Sequence, residues 1–277
     1  FQIYIYGGYF LKKLLLISSL IFVALICFLA LKVNAEDITT ETKTTTLEAD
    51  YAKGYDGIWF MGFNMHKDIF QGKSGKLLRQ AIASAINRNY IATKVIGDPT
   101  VPSGAIPPGM PGYDTTLPGY AYDLTTAKKL LKESGLKPSD KALKSFTMVH
   151  TDGVKTIEIA KILEDNLTKL GIKVTRTEVA YSDPDKWERE LTSGVYQLFL
   201  MGYKAENPED TVTLLKPLFS TKGDANITYY RNGQVDALLD EAEKTPIDSE
   251  REKRLAKANR IILGDCPTVN LFYITKL

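Results

Sequence analysis

From Gly57 onward the chain alternates short apolar runs with longer amphipathic stretches, and this alternation restricts the fold more tightly than any other property of the sequence. Ile58–Met65 is apolar and aromatic and reads as a strand bounded by Gly57. Leu77, Leu78, Ala81, Ile82, Ala85 and Ile86 recur at helical spacing, which predicts a helix from Ser74 to about Asn89. Asp98 to Pro118 carries prolines 99, 102, 107, 108, 111 and 118, too many for regular structure. Asp123 is placed to cap the next helix, with Leu124, Ala127, Leu130 and Leu131 on its buried face and Gly135 as its stop.

The pattern continues to the end. Ser145–His150 reads as a strand, and Val154, Ile157, Ala160, Leu163, Leu167 and Leu170 form a helical stripe closed by Gly171. Ile172 and Val174 alternate with polar residues, as in a strand with one buried face. Asp183-Pro184 supplies a cap and a first-turn proline, and Asn207-Pro208 repeats that signal before a further predicted helix. Tyr196–Tyr203 is strand-like between them. Two helices are expected after Arg231-Asn232-Gly233, the second starting near Asp248, and Thr268–Ile274 reads as a last strand. The expected class is α/β: one mixed sheet with helices on both faces.

The N-terminus reads differently. Lys12-Lys13 precede an uncharged, mostly apolar run, Leu14 to Leu31, interrupted only by Ser18-Ser19 and followed by Lys32 and Val33-Asn34-Ala35. A positive flank, an apolar core and small residues at the end predict a secretory signal, residues 1–35, cleaved after Ala35. The rival reading is a retained anchor through 14–31, since an uncharged stretch of 18 residues sits at the lower edge of what spans a bilayer. The first residue is Phe, and Leu11-Lys12-Lys13-Leu14 would make an ordinary signal start, so residues 1–10 are read as lying upstream of the translated protein. Residues 36–56 are rich in Thr, Lys and Glu and are expected to be a linker, leaving 57–277 as one domain.

Other chemistries find no support. The formal charge of +2 over 277 residues gives no basic excess for nucleic acid, and removing 1–35 takes away three lysines and no acid. The cysteines are Cys27 and Cys266; the first leaves with the signal, and the second is expected to be a small, partly buried residue. His66 and His150 lack metal-ligand spacing, and no phosphate loop, nucleophile elbow or His-Glu-x-x-His run is present. Neither a metal nor a cofactor is expected, and no enzyme activity.

Several phrases recur in a fixed order: Phe63-Asn64, Arg79-Gln80-Ala81 with Asn87-Arg88, and Tyr122-Asp123 with Ala127-Lys128-Lys129-Leu130-Leu131. Ile106-Pro107-Pro108, Gly112-Tyr113-Asp114, Leu170-Gly171-Ile172-Lys173-Val174, Gly202-Tyr203-Lys204-Ala205-Glu206 and Val235-Asp236-Ala237-Leu238-Leu239 belong to the same series. In this order they resemble the second lobe of the extracellular solute-binding proteins of family 5, the oligopeptide, dipeptide and nickel receptors of ABC importers. The resemblance implies a periplasmic-binding-protein-like lobe of the class II type. It also implies that the receptor's first lobe is missing from this chain.

The resemblance further implies a monomeric, exported protein, periplasmic or at the cell surface, that captures a peptide or other small solute and delivers it to an ABC permease complex. In peptide-binding members an acidic residue in a phrase resembling Gly-Trp-x-Ala-Asp pairs with the peptide α-ammonium. Here Glu206 takes that place and Tyr203 the aromatic one, with Met201 and Asn64 as further ligand-binding candidates. Glu for Asp keeps the charge and lengthens the arm. Asn64 is read mainly as a turn cap and Arg79 as a structural ion-pair residue. The alternative function is a membrane-anchored or exported protein-interaction module without a transported ligand.

Overall fold

The computed structural model describes the short strand Ile5–Tyr6 and residues 54–246 and 249–276. The remaining residues lie outside the description, and with them the predicted cleavage site, the apolar run 14–31 and most of the linker. No helix among the described residues is long and apolar enough to cross a membrane.

The strands are β1 (Ile5–Tyr6), β2 (Tyr55–Phe63), β3 (Phe146–Thr151), β4 (Val174–Val179), β5 (Leu198–Lys204) and β6 (Thr268–Thr275). They form one mixed sheet in the order β4-β3-β5-β2-β6, with β1 on the side of β5 away from β2. β3 runs parallel to β4 and β5, whereas β2 runs antiparallel to both β5 and β6. β2 therefore starts, and β6 ends, where the parallel strands finish.

Strands β2, β5 and β6 are buried almost throughout. Their side chains alternate between two cores, which is why these segments read as continuous apolar runs. Trp59, Met61, Phe63, Leu198, Leu200 and Phe272 face the first core. Ile58, Phe60, Phe199, Met201, Tyr203 and Tyr273 face the second. The first core is covered by α1 (Gly72–Ala85), the π-type turn Ile91–Ile96 that follows the short α2 (Arg88–Tyr90), α3 (Leu124–Glu133) and α4 (Val154–Thr168). The second is covered by α5 (Pro184–Thr192), α6 (Val212–Phe219), α7 (Gly233–Lys244) and α8 (Ser249–Asp265). Helices on both faces are what the sequence pattern predicts.

Local signals explain most boundaries. The side chain of Asp123 accepts from Thr125 N at 2.8 Å, and that of Asp183 from Lys186 N at 2.9 Å, each closing an N-terminal turn. Gly135 and Gly171 end α3 and α4 at φ +85° and +77°, a conformation a side chain would strain. The irregular stretch 98–120 is fastened to β6 where Ser103 N donates to the Tyr273 hydroxyl, which donates to Gly104 O, each at 3.3 Å. Arg88, itself buried, donates to the carbonyls of Pro102, Tyr120 and Asn270, tying the stretch to the sheet.

Three expectations change. β2 begins at Tyr55, so the strand takes in the last two residues assigned to the linker. Asn207-Pro208 starts no helix: residues 206–210 are turns, and α6 begins only at Val212. No apolar residue follows Pro208 until Val212, so a helix there would have had no face to bury. Cys266 is wholly buried rather than partly so, and it sits at φ 55°.

Candidate functional site

β5 lies centrally in the sheet, yet it is only half paired. On one side it pairs with β2 along its whole length, from Phe63↔Leu198 to Gly57↔Lys204. On the other it pairs with β3 at Met148↔Leu198 and Val149↔Phe199 alone. Beyond Phe199 that edge is free of β3, and at Tyr203–Lys204 it accepts the extended segment Ile5–Tyr6 in parallel register. An edge with unused amides and carbonyls can take an added strand.

Two glycines thin the sheet here. A Cβ on Gly202 would lie 2.5 Å from Trp59 Cδ1, so the indole packs closely against β5 at Gly202, and it stacks on Phe272 with ring centroids 5.6 Å apart. A Cβ on Gly57 would meet the Tyr203 carbonyl oxygen at 2.3 Å. Both positions require glycine for close approach of backbone or ring.

Charged and polar groups gather at this end. Lys204 Nζ pairs with Asp56 Oδ2 at 2.7 Å, with both side chains under 10% exposed. Asp56 Oδ1 is buried without a hydrogen-bond partner. The hydroxyl of Tyr203 and the Nε2 of His150, near the ends of β5 and β3, are likewise buried and unpartnered. His150 Nδ1 lies 2.8 Å from the Thr151 carbonyl. Burial disfavours the imidazolium and lowers the His150 pKa, and the Arg176 charge adds to this. Burial raises the Tyr203 pKa, and the Asp224 and Glu206 charges raise it further.

The structure brings Met201, Tyr203 and Glu206 together and leaves Asn64 apart. Glu206 is exposed, two residues past β5. Met201 and Tyr203 are buried in the second core, with only the Tyr203 hydroxyl unpartnered. Asn64 follows β2 at the opposite end of the sheet, and its side chain is fully used. Its Nδ2 donates to Tyr196 O at 3.0 Å and Gly194 O at 3.3 Å, and its Oδ1 accepts from His66 N at 3.1 Å. Arg79 also lies at that opposite end. It donates to the carbonyls of Phe70, Asp265 and Cys266, so it acts on carbonyl oxygens and not, as expected, through an ion pair.

Sequence reasoning passed over Asp56, Lys204 and Asp224. The first two carried a signal: each is a charge set within or against an apolar strand. Asp224, in the loop before α7, carried none. No group of three or more His, Cys, Asp or Glu residues is placed to hold a metal among the described residues.

The family model for bacterial extracellular solute-binding proteins, family 5, matches residues 28–226. Heme-binding protein A of Haemophilus influenzae is 27% identical over 252 residues, covering 88% of this chain and 44% of that protein. The oligopeptide-binding protein OppA of Bacillus subtilis is 27% identical, covering 79% of this chain and 40% of its own. Among solved structures, the oligopeptide-binding protein AppA of Bacillus subtilis, in complex with a nonapeptide, aligns with a TM-score of 0.67 at 22% identity, over 80% of this chain and 45% of that one. The Escherichia coli murein tripeptide binding protein MppA aligns at 0.70 and 18% identity, covering 80% and 43%. The chain thus spans less than half the length of these relatives.

Proposed function

Because the chain belongs to the bacterial extracellular solute-binding proteins, family 5, we propose that it forms one wall of a peptide receptor serving an ABC importer. Capture would occur between this lobe and a second one by hinge closure, followed by delivery to a membrane permease. The chain itself would make and break no bond.

The observation that carries the reading is the half-paired edge of β5. Main-chain hydrogen bonds recognise any extended peptide whatever its side chains, which suits a receptor for mixed peptides. Glu206 then sets direction. It lies past the C-terminal end of β5, so a peptide presenting its α-ammonium to Glu206 must run antiparallel to β5. The segment Ile5–Tyr6 runs parallel, in the opposite direction. The OppA and AppA relatives named for oligopeptides support the choice of solute.

Affinity from this wall alone is expected to be weak. An exposed ion pair contributes about 0–1 kcal/mol, whereas a micromolar complex needs about 8 kcal/mol. The test is thermal unfolding of the full chain with a mixed tripeptide pool and with the same pool N-acetylated. A rise in midpoint with the free pool, lost on acetylation and lost again in Glu206→Gln, is the expected result. A midpoint that neither pool moves at millimolar peptide, where even a weak complex stabilises the lobe, would remove the peptide assignment.

A further inference from the structure

The lysines of this chain are unevenly placed. Lys132, Lys137, Lys141, Lys144, Lys169 and Lys173 are all exposed. The segments that carry them, 132–144 and 169–173, hold six lysines and two acids, whereas all 277 residues together carry a formal +2. The fold packs these segments against each other. Lys173 N donates to Leu143 O at 2.8 Å, Phe146 N to Lys173 O at 3.1 Å, and Lys144 Nζ to Gly171 O at 2.7 Å. A Cβ on Gly171 would lie 2.6 Å from the Pro138 carbonyl oxygen. Most acids beside the lysines are engaged. Glu133 faces Lys129 at 3.9 Å, Asp140 Oδ2 accepts from Lys137 N at 2.7 Å, and Glu164 is held by Arg176 at 2.9 Å. Asp165, four residues before Lys169, is the exposed exception. None of the six lysines makes a salt bridge among the described residues. Gathering like charges costs the folded lobe self-repulsion, which an outside anion relieves.

We propose that this lysine cluster rests the lobe on the anionic phospholipid surface of a membrane. Lysines are point charges on flexible stems, and a broad anionic surface attracts them without requiring that they converge. A compact anion would instead call for a fork of arginines or an array of amides. Tyr122, 40% exposed, stands at the rim, with Lys169 Nζ 3.2 Å from its hydroxyl. A ring with a polar tip suits the boundary between lipid and water. The cluster lies where β3 and β4 begin, the end of the sheet opposite Lys204. A lobe held this way keeps the half-paired end of β5 turned away from the bilayer, open to solute.

The test is partitioning of the full chain onto vesicles of phosphatidylcholine alone and of phosphatidylcholine with about one-third phosphatidylglycerol, at about 50 mM salt. Lys137→Gln with Lys141→Gln and Lys173→Gln removes three exposed ammonium groups of the cluster; Lys222→Gln with Lys244→Gln and Lys257→Gln removes three exposed ones on the other face of the sheet. Residues 1–35 are the same in every chain compared, so the two variants report on the lobe. The first variant is expected to lower partitioning onto the anionic vesicles about tenfold and the second less than about twofold, with the difference gone at about 0.5 M salt. Equal losses in the two variants, or equal partitioning onto the two vesicles, overturn the membrane assignment and leave the lysines to solvent or to an acidic protein. No peptide enters the measurement, so its outcome is separate from that of the receptor reading.

Discussion

The two ends of the sheet solve the same problem in opposite ways. Where β2 finishes and β6 begins, polar side chains are spent on the protein itself. Arg79 serves three carbonyls, Asn64 makes three hydrogen bonds, and Asp265 is held by Lys76, Tyr230 and Asn232. Burial alone would raise the Asp265 pKa, but those three donors outweigh it and hold it below the ordinary carboxylate range. Where β2 begins and the parallel strands finish, Asp56, Tyr203 and His150 each keep a buried atom without a partner. One end is closed chemistry that secures the fold. The other carries unmet demand, the condition for binding something else.

Breaking the closed end should cost most. Arg79→Ala leaves the buried carbonyls of Phe70 and Cys266 and the part-buried one of Asp265 without donors, at about 1–3 kcal/mol for each buried group, and is expected to unfold the lobe or lower its stability by about 4 kcal/mol. Urea denaturation reads this directly. Arg79→Lys, which cannot supply a planar fork, should recover only part of the loss. At the open end, Lys204→Met leaves Asp56 as an uncompensated buried charge and should cost about 3 kcal/mol. A wild-type denaturation midpoint in that variant would show that the ion pair is not essential to the open end.

His150 gives a pH signature. Its folded pKa lies below the unfolded value of about 6.5. Between the two values the unfolded chain binds a proton that the folded one refuses. Stability should therefore fall as pH drops through about 6.5 and level off below the folded value. His150→Gln should flatten this part of the pH–stability curve, and a curve of unchanged slope would assign the dependence to other groups. Smallest in stability and sharpest for the comparison is Glu206→Gln. It should shift the midpoint by less than about 0.5 kcal/mol, as expected of an exposed residue, yet abolish discrimination between free and acetylated peptides. A large loss of stability in this variant would place Glu206 with the closed end.

The fold was largely legible because its signals are local. Asp123, Asp183 and Asn232 cap helices that their own sequence neighbourhoods announce. Gly135 and Gly171 stop helices at positive φ for steric reasons visible in the sequence. Asn207-Pro208 misled because a cap signal says nothing about whether a buried face follows. The candidate site was less legible. The phrase ending in Glu206 stood out through its resemblance to a family pattern. The Arg79 carbonyls at 265 and 266 come from the far end of the chain, and the Asp224 charge that raises the Tyr203 pKa comes from the α6–α7 loop. Partnerships at that separation leave no periodic trace.

The pairing of Tyr55 with Thr275, reinforced by Lys276 N donating to Gly54 O at 2.8 Å, sets the first and last described residues of the lobe side by side. The path of the chain from 54 to 276 is thus nearly a closed ring. A ring can be opened elsewhere: joining 276 to 54 through a few glycines and cutting at the exposed residues around Gly194 should give a permuted chain with the same sheet. For the same reason, the lobe can be carried as an insert within another fold, because a host need only supply two adjacent attachment points.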